Sequence, residues 1–192
     1  MNTLTDLLYG TIYLEVFGND ASPYSILKHK LYNIDTDYFE KIPAWAEEIP
    51  EGLNSGLTEK VLADFNVVIG QVLSETFEKS LLDSIRLTIQ NSFPNVSPEA
   101  IADARRGAMQ KIRTSATLCF NYEPCPRVSD KELAEFRKRA ERRTLGERIL
   151  QSNNADVINY HHALMHKTVW DCKKLIDDST LRFAESTLNL IA

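Results

Sequence analysis

Three of the chain's four histidines fall in one stretch, Asn159-Tyr-His-His-Ala-Leu-Met-His166. His162 and His166 are four residues apart, so on a helix both imidazoles leave the same side. Zinc, iron and nickel sites use this spacing. The rest of a metal motif is missing. Ala163 stands where the zinc-protease pattern needs glutamate. No Glu-x-x-His pair occurs, which removes a carboxylate di-iron centre. A third ligand would have to come from His29, Cys119 or Cys125. The expectation is therefore no cofactor, with a metal ion or haem on His162 and His166 as the alternative. Cys125-Pro126 would suit a haem thiolate. His161 differs from its neighbours. It shares an apolar helix face with Ile158, Leu164, Met165, Thr168, Cys172 and Leu175, where a buried histidine making one hydrogen bond is expected. Cys119 and Cys172 also fall on apolar faces, where thiols act as small hydrophobes.

A second chemistry lies in the arginines. Nine of the eleven fall between Arg105 and Arg148. Residues 1–100 hold 6 basic against 15 acidic side chains and residues 101–150 hold 12 against 7, while the whole chain is at −5. Such segregation bears on partners. The densest run is Arg137, Lys138, Arg139, Arg142, Arg143 and Arg148, on a helix expected over 129–151. At about 100° per residue these cations spread round the axis, whereas a groove-binding helix gathers them on one side. Glu135 and Glu147, each four residues from an arginine, neutralise part of the charge, and no aromatic residue interleaves the run to stack on bases. A solvated surface helix is the first reading. Next comes an acidic protein partner, or the acidic half of a second copy, met by Arg137, Arg139, Arg142 and Arg143. Nucleic acid ranks third.

Arg105 is a separate case. It falls beside Ile101, Ala104 and Ala108 on an apolar face, so it needs a carboxylate from the N-terminal half or a bound anion. Trp170 projects opposite the apolar face of its helix, near Ala163 and His166, and is the residue most readily given to a partner interface.

These groups must be positioned by helices. With 192 residues, 43% hydrophobic and 26% charged, and only 7 Gly and 7 Pro, the composition suits one all-α domain over residues 1–192. The expected architecture is a compact bundle of seven or eight helices, with the first 56 residues the least determined. Thr11–Phe17 suits a strand by composition, but no second strand exists to pair with it, so a helix capped by Thr3 or Thr5 is favoured. Short helices follow from Pro23 to Tyr32 and from Thr36 to Ile42, then an acidic loop punctuated by Pro43, Pro50 and Gly52.

From Thr58 a stripe of Val61, Leu62, Phe65, Val68, Ile69, Val72 and Leu73 is followed by Leu81, Leu82, Ile85 and Ile89 in nearly opposite phase. Either the helix breaks near Phe77–Ser80, or it is buried on both sides. Ser97-Pro98 opens a helix whose inner face is Ile101, Ala104, Ala108, Ile112, Ser115, Ala116 and Cys119, small enough for a neighbour to approach closely. Ser129-Asp-Lys-Glu132 is a capping box. Two more helices are expected, from about Ala155 to Ile176 and from about Ser179 to Leu190.

The opening Met1-Asn-Thr-Leu-Thr-Asp lacks the basic residues of a signal peptide. The apolar run Leu7–Phe17 is interrupted and too short to span a bilayer. Three cysteines form no disulfide framework. A cytoplasmic protein with no membrane partner is expected. No Gly-rich phosphate loop, G-x-S-x-G elbow or Cys-x-x-Cys occurs, which favours a binding role over an enzyme. The leading expectation is a regulatory or adaptor protein that binds another protein, including a homodimer with complementary charge. The alternatives are a nucleic-acid-associated regulator using the Arg-rich helix 129–151 and a metal- or haem-dependent enzyme or sensor using His162 and His166.

Overall fold

A computed structural model describes residues 3–33, 53–116, 127–146 and 155–191. Among them every regular element is a helix and no strand occurs, so the all-α expectation holds. In chain order these are α1 (Leu4–Ile12, continued as a π-helical turn Tyr13–Phe17), α2 (residues 23–33), α3 (Leu53–Val72), α4 (Glu75–Ser92), α5 (Pro98–Ala116), α6 (Asp130–Gly146) and α7 (Ala155–Asn189). The helix expected from Thr36 to Ile42 and the acidic loop after it lie outside the described residues.

The chain forms two compact units. The first comprises Met1–His29, Val67–Asn121 and Leu175–Ala192, and the second Lys30–Asn66 and Tyr122–Lys174. The first unit thus holds α1, α4, α5 and the end of α7, and the second holds α6 and the beginning of α7.

In the first unit, Thr3 caps α1 by accepting from the Asp6 amide at 3.1 Å. Leu4, Leu8, Ile12 and Val16, four apart, are buried, and so is Phe17, five after Ile12. The wider π turn accounts for that last step, since its i to i+5 register turns Phe17 onto the same side. Gly18 ends the turn where a Cβ would meet the Leu14 Cα at 2.9 Å and the Tyr13 carbonyl oxygen at 3.0 Å, both backbone atoms.

α1 packs on α5. The small residues of α5 permit it: a Cβ on Gly107 would stand 2.9 Å from the Thr5 methyl. Asp6 pairs with Lys111 across the same contact, and the ammonium holds its carboxyl down to about 2. On α5, Ile101, Ala104, Ala108 and Ile112 are buried as expected, joined by Met109, and Ser115 is half-buried. The Ala116 side chain and Cys119 lie outside the described residues. Ser97 caps the helix, accepting from the Ala100 amide at 3.2 Å.

Two expectations need correction. The break between the two opposed stripes comes at Leu73–Ser74, earlier than Phe77–Ser80. Ser74 is extended (φ −70°, ψ 155°) and starts α4, so Val61, Phe65 and Ile69 are buried from one helix and Leu81, Leu82, Ile85 and Ile89 from the next. The second correction is larger. The two C-terminal helices are a single helix of 35 residues. Asp177-Asp178-Ser179-Thr180 has the composition of a helix start, but the Thr180 hydroxyl donates back to the Ile176 carbonyl at 2.6 Å. Thr168 and Thr187 do likewise, to Leu164 at 2.8 Å and Phe183 at 2.9 Å. Hydroxyls satisfied in this way can be buried without ending the helix.

In the second unit the capping box of α6 is formed. The Glu132 amide donates to Ser129 Oγ at 3.2 Å, and the Ser129 amide to Glu132 Oε2 at 2.8 Å. Ala140 of α6 is buried against Tyr160 of α7, with Leu133 and Phe136 packed beside them.

Candidate functional site

The positions along one face of α5 build a basic cleft in the first unit. Ala102, Arg105, Arg106, Met109, Gln110 and Arg113 recur at helical spacing, and Glu185, Leu188 and Asn189 of α7 complete a cleft of about 560 Å³. Met109 and Leu188 at its base are almost fully buried, and the arginine, glutamine, glutamate and asparagine side chains form its rim. The polar rim therefore carries its chemistry.

Each arginine there has a different partner. Arg105 donates through Nη1 to the carbonyls of Ile191 at 2.7 Å and Asn189 at 3.1 Å, with a longer contact of 3.5 Å to Leu188. No carboxylate pairs with it among the described residues. Its demand for negative charge is met by the end of α7, whose last carbonyls have no intrahelical donors and carry the negative end of the helix dipole. Arg106 pairs with Asp103 one turn back, and the two side chains are 79% and 71% exposed. Arg113 Nη2 lies 3.1 Å from Glu185 Oε1, with side chains 59% and 44% exposed. The repeat of cationic and amide side chains on α5 is visible in sequence. The α7 wall, about eighty residues away in the chain, is not.

His161, His162, His166 and Trp170 belong to the second unit, so Arg105 shares no compact unit with them. His162, His166 and Trp170 do share one face of α7. The two imidazole centroids are 6.3 Å apart. Among the described residues no three His, Cys, Asp or Glu side chains come together to hold a metal ion. Of the third ligands considered, His29 falls in the first unit, and Cys119 and Cys125 lie outside the described residues. Trp170 is half-buried under its own chain's cations. The Arg127 guanidinium lies 4.3 Å from the indole centroid and the Lys173 ammonium 5.7 Å, a cation–π arrangement on the segment leading into α6. Ala163, expected on the outer side near Trp170, is buried, as are Tyr160 and Val169. The helix is therefore packed on more than one side.

His161 is buried, as expected, and among the described residues its Nε2 has no hydrogen-bond partner. Burial, and secondarily the nearby His162, lowers its pKa below 6.5, and burial lowers that of His162. The unfolded chain therefore binds more protons than the folded one below pH 6.5. Stability should be full above that pH and fall as the pH drops through it, by up to about 1.4 kcal/mol per pH unit per proton. Urea denaturation between pH 8 and about pH 5, above the range where carboxylates titrate, would show the slope. His161→Phe should reduce the slope, leaving the part due to His162, and an unchanged slope in that variant would remove the assignment. The Cys172 thiol is buried and pushed up to about 12 by desolvation, so it is an inert packing group, as expected.

On α6, Arg137, Lys138 and Arg139 are exposed. The i to i+4 pair expected between Glu135 and Arg139 does not form. The Arg139 guanidinium lies over the Phe136 ring instead, 5.8 Å from its centroid. The side chains of Arg142 and Arg143, and all of Arg148, lie outside the described residues. No described helix is long and apolar enough to cross a membrane.

Comparison with protein-family models, curated proteins and solved structures finds no match.

Proposed function

We propose that this protein works by binding another protein, and that the cleft between α5 and the end of α7 receives an acidic segment of that partner. The cleft of about 560 Å³, rimmed by Arg106, Gln110 and Arg113, carries the reading. Recognition there falls to rim charge, which speeds encounter and selects partners more than it adds affinity. The binding is accordingly salt-sensitive. Of the rim arginines, Arg106 is the one to test, because its described contact is an exposed pair within its own helix.

A labelled hexaglutamate peptide, followed by fluorescence anisotropy, is expected to bind at low salt and to weaken about tenfold at moderate salt. Arg106→Glu should weaken it by about as much, with the thermal midpoint unchanged. Absence of peptide binding at low salt sinks the reading, and so does a duplex oligonucleotide that binds where the peptide does not.

A further inference from the structure

We infer that the cleft regulates its own occupancy. Asp103 and Glu185 are internal competitors that an acidic ligand must displace from Arg106 and Arg113. This rests on the acidic-segment reading above and adds to it which anions bind and what sets their affinity.

Three arginines line the cleft, but they are not equivalent. Arg105 is committed to the carbonyls of Asn189 and Ile191 at 3.1 and 2.7 Å, and releasing it would unsatisfy the end of α7. Arg106 and Arg113 are each faced by a carboxylate of their own chain, Asp103 and Glu185. Both pairs are largely open to water. Exposed pairs of this kind shift an equilibrium by only about two- to fivefold, so they exchange readily with solvent and ligand.

A single carboxylate gains nothing by such an exchange, since it replaces one exposed pair with another. A segment with several carboxylates differs, because once one is seated the next binds intramolecularly at high effective concentration. Arg106 and Arg113 are seven residues apart on α5, about 10 Å along the axis. Carboxylates that reach both arginines come from positions i and i+7 of a helix, or, through flexible glutamate side chains, from same-face positions i and i+2 (about 7 Å) or i and i+4 (about 13 Å) of an extended strand. The inferred ligand is thus a polyacidic peptide segment with paired carboxylates about 10 Å apart. Isolated acids are screened out by Asp103 and Glu185.

The test measures hexaglutamate and acetate affinities for the full chain and for Glu185→Gln, Asp103→Asn and Glu185→Gln/Arg113→Gln, with thermal midpoints confirming folding. Each single substitution should tighten hexaglutamate binding about two- to fivefold, and the arginine substitution should cancel the gain of Glu185→Gln. Acetate should not compete at equal carboxylate concentration. If the original chain binds the peptide and Glu185→Gln leaves the affinity unchanged or weaker, self-competition is wrong while the acidic-segment reading stands. If the original chain does not bind the peptide at low salt, that reading fails as well.

Discussion

Arg105→Ala is expected to destabilise the protein by about 2–4 kcal/mol in urea denaturation. One guanidinium nitrogen serves carbonyls of Asn189 and Ile191, and the Leu188 and Ile191 residues flanking this turn are buried. Truncating the arginine leaves those acceptors without their cation and removes a positive charge from the negative end of α7. Arg86 cannot stand in, since its Nη2 is already on the Leu190 carbonyl at 3.2 Å. Arg105→Lys should recover part of the loss, because an ammonium restores the charge but not the planar fork. A change under about 0.5 kcal/mol for Arg105→Ala, the range of ordinary surface substitutions, would show that this cap contributes nothing to stability. The same reasoning explains why Arg105 is a poor probe of binding: a weakened ligand could not be told from a frayed helix.

Thr180→Pro is expected to cost at least about 3 kcal/mol. Within a continuous α7 the proline removes the amide that bonds to the Ile176 carbonyl and sets its ring against that oxygen. It also deletes the buried hydroxyl that donates there at 2.6 Å. Thr180→Val isolates the hydroxyl and should cost about 1 kcal/mol. The pair of variants separates two descriptions of the same residues. Were Ser179 the cap of a separate final helix, residue 180 would be its first helical position, where proline is tolerated. A Thr180→Pro protein as stable as Thr180→Val would therefore mean that α7 is broken at this point.

The signals read correctly from sequence are those whose physics is local. Ser97 and Ser129 cap α5 and α6 because their partners lie three residues away. The apolar spacing of Leu81, Leu82, Ile85 and Ile89 needs only the helical period to predict their burial. The same local logic failed at Asp177–Thr180. Polar side chains there are equally compatible with a cap and with a buried helix interior. Packing decided between them: Tyr24 donates to Asp177 at 2.9 Å, and the Thr180 hydroxyl turns inward.

The candidate site divides the same way. That Arg105 sits on an apolar face and must find negative charge is dictated by its spacing from Ile101, Ala104 and Ala108. That the charge comes from helix-terminal carbonyls 84 and 86 residues away, and from no carboxylate, is a tertiary fact. Trp170 likewise projects from the outer side by its phase, but only the fold brings Arg127 over its ring. By itself the sequence determined the all-helical class, the caps, most of the buried faces and the segregation of charge, because each depends on residues within a turn or two. The continuity of α7, the partners of Arg105 and Trp170, and the cleft shared by α5 and α7 were decided by the tertiary structure, because each joins groups whose proximity no helical period encodes.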